Sequence, residues 1–280
     1  MNYRHAYHVG NFADVLKHVT LVALLEHLGR KDTPYFLLDT HAGRGDYPLA
    51  APETQRAGEY RDGILRLLGA EHPPPAVARY LDVVRELGFE DGHLVTYPGS
   101  PRIAVALLRI DDRAALCELE PREAAALRAL FRGHARAQVH ERDGYEALLA
   151  LVPPREKRGL VLLDPPFEQP DEFDRLERAL VLAHDRWPGG VYAAWYPIKA
   201  GGADGRFLAR MEASGIRRQL VAELTIERDD SPGGLNGAGM LIVNPPWQLD
   251  ERLAGALPWL QQRLAAERRG RQRVSWLVPE

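Results

Sequence analysis

Cysteine is almost absent from this chain of 280 residues, in which Cys117 stands alone. That excludes a disulfide framework and any cysteine-rich zinc or iron–sulfur site, and it fits a reducing compartment. Long apolar runs are missing too. The run at residues 19–25 ends against Glu26 and His27, far short of the roughly 20 residues that a membrane span requires. No secretory leader is evident, so a cytoplasmic chain without a membrane part is expected. Charge of one sign is also lacking. Lys and Arg number 36 against 39 Asp and Glu, a net charge of −3, and no global positive field draws in nucleic acid. Basic residues do gather at 155–158 and 268–273; solvated surface is the ordinary reading of such short runs, and phosphate contact the alternative. The dinucleotide signature G-x-G-x-x-G is not met, because Ala42-Gly43-Arg44-Gly45 carries two glycines and Pro48 follows. A Walker phosphate loop is absent as well. Both absences favour a nucleoside-type cofactor without pyrophosphate.

What is present is the composition of an ordinary globular protein, 45% apolar and 27% charged, with length enough for one large domain or two small ones. Apolar residues recur at helical spacing over 12–28, and Gly29 is a plausible stop. By position Lys17 and His18 read as exposed helix residues. A short buried strand is expected at 35–38, then strands at 94–97, 114–119, 136–140, 159–163 and 191–196, the last stopped by Pro197. Helices alternate with them at 102–110, 121–131, 145–151, 172–184 and 207–214, Ser100 being a suitable N-cap for the first. Residues 219–227 and 240–243 suggest a hairpin, and 249–267 a last helix kinked at Pro258. Residues 49–92 differ in character. Two helical patterns separated by Pro73-Pro74-Pro75 suggest a small helical subdomain, or lid, inserted between 1–48 and 93–280. Alternating strands and helices imply an α/β fold with a doubly wound, mostly parallel sheet, closed by an antiparallel edge. That is the outline of a Rossmann-like, seven-stranded class I methyltransferase.

The chemistry concentrates in Gly159-Leu160-Val161-Leu162-Leu163-Asp164-Pro165-Pro166-Phe167. The apolar run suits a strand buried on both faces. Two prolines forbid further ladder donors, so a stiff loop should leave the carboxyl end of a central strand, where open α/β sheets keep their ligands. Asp-Pro-Pro-Phe supplies what methylation of an exocyclic amine needs. The nitrogen lone pair is delocalised into the base, and two acceptors on its hydrogens would free it. Asp164 can be one acceptor and the Pro165 carbonyl the other. Phe167 offers a stacking face, worth roughly 1–3 kcal/mol per base. The plainer reading is a proline-terminated strand with a capping Asp. Asp39, Glu118 and Asp143 fall at successive strand ends. Taken singly each is more often a helix cap than a ligand, but a carboxylate after the second strand matches a ribose diol, and Asp143-Gly144 lies where an adenine ring would be edged. Gly43 marks a turn of close backbone approach. His18 and His41 alone would be surface or capping histidines, His134 and His140 structural ones, and no spacing among them supports a metal site. Asn244-Pro245-Pro246-Trp247 repeats the catalytic pattern, but it ends the hairpin strand, so catalysis is assigned to Asp164 and Asn244 is left as a groove residue.

Several blocks together resemble the ribosomal RNA large subunit methyltransferase J family. They are Tyr3-Arg4-His5, His8 with Gly10-Asn11 and Asp14-Val15-Leu16-Lys17-His18, Leu38 to Gly43, Gly99-Ser100-Pro101, Asp143-Gly144-Tyr145, Asp164 to Glu168, Trp195-Tyr196-Pro197 and Asn244 to Trp247. The resemblance implies S-adenosylmethionine-dependent N6-methylation of one adenosine in 23S ribosomal RNA, with no metal. It implies that His18, His41, Ser100, Glu118, Asp143, Gly144 and Asp164 surround the cofactor, Gly43 joining them, and that Asp164 is the catalytic acceptor beside Pro165 and Phe167. Tyr3, Lys17 and Phe167 are expected to meet the RNA. Phe167 stands where tyrosine is commoner and Glu120 where histidine is expected. A monomer is expected. The alternatives are a DNA adenine methyltransferase using the same loop, a nicotinamide-dependent oxidoreductase disfavoured by the missing third glycine, and a silent RNA-binding protein on the same fold.

Overall fold

The computed structural model describes residues 5–228, 231–232, 234–265 and 269–280; the expected RNA contact Tyr3 lies outside them. Eight strands make one sheet: β1 (Phe36–Asp39), β2 (Arg113–Glu118), β3 (Ala137–Glu141), β4 (Gly159–Leu163), β5 (Val191–Ile198), β6 (Gln219–Thr225), β7 (Gly237–Val243) and β8 (Gln272–Val278). Their spatial order is β8-β6-β7-β5-β4-β1-β2-β3. Strands β3, β2, β1, β4 and β5 run parallel, while β7, β6 and β8 are added antiparallel, each to its neighbour. The first seven are the expected sheet. The eighth comes from the basic C-terminal run, whose end pairs with β6.

Among the described residues the helices are α1 (Phe12–Gly29), α2 (Pro52–Ala57), α3 (Leu65–Leu68), α4 (Pro75–Gly88), α5 (Ser100–Ala106), α6 (Pro121–Leu130), α7 (Gly144–Leu151), α8 (Glu172–Arg186), α9 (Ala203–Ala213) and α10 (Leu249–Leu264). One face packs under α1, α4, α5 and α10, the other under α7, α8 and α9. Strand β4 is buried at every position, as a parallel strand covered on both faces must be. Helix α1 is capped by Asn11, whose side chain accepts from the Ala13 and Asp14 N–H groups, and it is buried from Phe12 to Leu25. Lys17 and His18 are therefore interior residues and not the exposed ones their position suggested. Residues 49–92 hold α2, α3 and α4, and α4 places Val77, Tyr80, Leu81 and Val84 in the same buried cluster as α1.

Two local expectations change. Strand β5 runs through Pro197 to Ile198. Its pairing with β4 ends at Leu163 and Ala194, so the strand has an unladdered edge beyond that point, where proline costs no hydrogen bond. Ser100 does not cap α5, since Gly99 occupies that position; the Ser100 hydroxyl instead donates to Asp39 Oδ2 at 2.6 Å.

Candidate active site

Asp164 leaves the carboxyl end of β4 between two cavities. The smaller, about 480 Å³, runs along the ends of β1, β2 and β3; the larger, about 740 Å³, opens beyond β5. Asp164, Lys17, His5, Pro166 and Glu168 line both. The carboxylate of Asp164 is thus the wall shared by two compartments. Lys17 Nζ sits 2.5 Å from Asp164 Oδ2 and 2.8 Å from Asp14 Oδ1. Asp14 also receives the Gly10 N–H at 2.9 Å and lies 3.1 Å from His5 Nε2. Burial disfavours the ammonium of Lys17, but the two carboxylates override it and hold its pKa well above the ordinary lysine value. Burial likewise opposes the Asp14 carboxylate, and His5 and Lys17 bring its pKa well below the usual range. Lys17 is therefore a fixed positive charge that orients Asp164.

The smaller cavity gathers most of the expected cofactor residues: His41, Gly43, Ser100, Glu118, Asp143, Gly144 and Asp164 all line it. Glu118 Oε2 accepts the Gly43 N–H at 2.9 Å, and Oε1 accepts that of Glu120 at 2.7 Å. Burial raises its pKa. Asp143 caps α7, taking the N–H groups of Tyr145 and Glu146, while its Oδ2 meets Arg175 at 3.2 Å; it is a cap and a cavity wall at once. Gly144 must be glycine, because a Cβ there would lie 2.1 Å from the Thr40 carbonyl oxygen. The His41 ring bonds the Thr40 hydroxyl and meets Tyr145 edge-on at 5.4 Å, and burial pushes its pKa down to about 4. Beneath them Asp39 is fully buried, and burial raises its pKa to about 7.

His18 does not fit the expectation. It lines neither cavity, because it turns toward α4 while Lys17, its neighbour, turns toward Asp164. Its Nδ1 is 2.8 Å from the Tyr97 hydroxyl, which meets that of Tyr80 at 2.9 Å. Burial takes its pKa down to about 3. Asn244 is also relocated. Val243 pairs with Tyr192 near the start of β5, so Asn244 lies at the opposite end of the strands from Asp164, and its amide donates to the Pro188 and Gly190 carbonyls. It lines no groove.

In the larger cavity Phe167 has φ of 49°, an uncommon backbone for a bulky side chain. Its ring is braced by Phe173 at 4.7 Å and Trp195 at 5.7 Å. In the sequence Trp195, Asp14 and His5 stand only within the resembling blocks, with no role of their own. The i,i+3 spacing of Asp14 and Lys17 on α1 was the available signal for the first.

A family model described as Ribosomal RNA large subunit methyltransferase D, RlmJ, matches residues 32–278. The chain belongs to that family. Ribosomal RNA large subunit methyltransferase J of Escherichia coli and that of Haemophilus influenzae are each 40% identical to it over 280 residues, the whole of both chains. A crystal structure of a Legionella pneumophila protein superposes with a TM-score of 0.88 at 34% identity, covering 95% of this chain and 97% of the other. The sheet is of the Rossmann-like class I methyltransferase kind, with β8 as its eighth strand. Among the described residues no helix is long and apolar enough to cross a membrane.

Proposed function

We propose that this chain methylates N6 of a single adenosine in 23S ribosomal RNA, using S-adenosylmethionine, in the cytoplasm and as a monomer. The observation that carries the reading is the position of Asp164 on the wall common to two cavities. One compartment is of a size for a nucleoside cofactor, and the other takes the base.

The smaller cavity has the donor set the cofactor calls for. Glu118, at the end of β2, keeps acceptor capacity after its two backbone bonds and can take a ribose diol. Gly43 and Gly144 let backbone approach the ligand, Gly144 and Tyr145 edge a purine, and carboxylates outnumber cations on the wall, which suits a cationic sulfur. His41, neutral at physiological pH, and Ser100 complete the set. His18 stands outside this set, bonded to Tyr97 in the core. When bound, S-adenosylmethionine supplies a methyl group made electrophilic by positive sulfur.

The remaining work belongs to the chain. Asp164 accepts one N6 hydrogen and the Pro165 carbonyl the other, which draws the lone pair out of the ring. Phe167 stacks the base, and RNA must present that adenine unpaired or extruded. Lys17 holds the Asp164 carboxylate in one place, so the acceleration comes mainly from positioning. Asp164 need not be a strong base, because the amine becomes acidic once it is alkylated. Tritium transfer from labelled S-adenosylmethionine to 23S ribosomal RNA, against duplex DNA of equal mass, tests the reading. Label in the RNA alone is expected, at N6 of adenosine after digestion; label in DNA alone, or in neither, overturns it.

A further inference from the structure

Strand β5 continues past the end of β4, and alternate residues there line the larger cavity: Trp195 and Pro197 on the strand, and Lys199 directly after its last residue, Ile198. The alternate residues Tyr196 and Ile198 turn to the other face and are buried there, as the two-residue period of a strand requires. One edge of the groove therefore carries an aromatic ring at depth, a proline in the middle and a cation at the mouth. Trp195 is the ring that braces Phe167. Lys199 is exposed.

The charges around Lys199 set it apart. Lys17 is held between Asp14 and Asp164, and His5 Nε2 meets Asp14 as well. Glu59 is held by His8 at 3.0 Å and by the Asn11 amide at 2.8 Å. Asp62 pairs with Arg66, and Glu168 is engaged as well. Among the described residues, Lys199 is the cation of this groove without a partner. It is close enough to His8 for the two charges to repel. Trp195 and Lys199 are four residues apart, about 13 Å along a strand. The flexible stem of lysine covers part of that span, leaving about the length of one nucleotide between a base seated against Phe167 and the ammonium.

We propose that the groove wall formed by the end of β5 and the residue after it, from Trp195 to Lys199, is a track for the RNA chain, on which Lys199 takes a backbone phosphate next to the methylated nucleotide and Trp195 fixes the stacking ring. The proposal rests on the function argued above, yet it predicts binding as well as turnover. A lysine that neutralises one phosphate of single-stranded RNA contributes about 0.7 to the slope of log affinity against log salt. Filter binding of a 23S ribosomal RNA transcript across a KCl series, with S-adenosylhomocysteine present, reads that slope directly. Lys199→Ala should weaken binding several-fold at low salt and make the slope shallower by about 0.7. The KM for RNA should rise in step, with kcat at saturating RNA within about twofold of the native value and S-adenosylhomocysteine affinity unchanged. Lys199→Arg should restore the slope. Trp195→Leu should lower kcat and leave the slope as it was. An unaltered slope in Lys199→Ala, or a kcat loss there with KM unmoved, overturns the track. A native enzyme that binds the transcript with the expected slope but transfers no methyl overturns the proposed activity and leaves the track standing.

Discussion

At the scale of single residues the site is a matter of where charge is fixed. Lys17 is 4% exposed and lies between two carboxylates, so its ammonium does not titrate near neutrality. Asp14 balances it whether or not Asp164 is occupied by substrate. It follows that Asp164 can be removed without leaving a buried charge alone, which is the costly case. Asp164→Ala should therefore stay folded, with a denaturant midpoint near the native one, while methyl transfer falls by at least about 100-fold, the scale of a lost positioning contact. Single-turnover assays at saturating cofactor would show it, and retained turnover would remove Asp164 from its role. The sequence made Asp164 legible, since a buried apolar run ending in two prolines has few structural alternatives. It did not make Lys17 legible, because helical periodicity marks which residues share a face and says nothing about what a charged one will meet across the fold.

At the scale of elements the turn from β3 into α7 is the tightest fit in the cofactor wall. Asp143 caps the helix through one oxygen and presents the other to Arg175, and Gly144 brings the helix start against the Thr40 carbonyl at the end of β1. A methyl at 144 must push α7 away from β1, since the atom it meets is backbone and cannot rotate aside. Gly144→Ala should cost about 1–3 kcal/mol of stability, the usual range for overpacking. It should also weaken S-adenosylhomocysteine binding, measured by calorimetry alongside urea unfolding; an unchanged midpoint would show that the turn has slack. Ser100 illustrates the same scale differently. Its place before Pro101 suits a cap, yet its hydroxyl is committed to Asp39, because β1 ends directly opposite and a buried carboxyl group needs a donor.

At the scale of the whole molecule, stability depends on histidines kept neutral inside. His18 is fully buried and its folded pKa is about 3, far below that of an unfolded histidine. The unfolded chain therefore binds a proton as pH falls through about 6.5 while the folded chain does not, and this stability is lost progressively between there and about 3. Asp39 acts in the other direction, since its folded carboxyl keeps its proton up to about 7 and its contribution falls as pH rises. His18→Gln should flatten the loss of stability between pH 6.5 and 4 by close to one proton equivalent, checked by urea midpoints across that range; an unchanged slope would mean that His18 is not the group responsible.

The order of elements, the apolar strand that ends at Asp164 and the acids at the ends of β1, β2 and β3 were set by the chain alone, because burial on both faces and proline geometry are properties of short stretches. Tertiary packing decided the rest. It buried Lys17 against Asp164, turned His18 toward Tyr97, packed α4 into the core beside α1, carried Asn244 to the far end of the strands and drew the end of the basic run into an eighth strand. Each of these depends on residues tens to hundreds of positions apart, and such contacts leave no periodicity in the sequence.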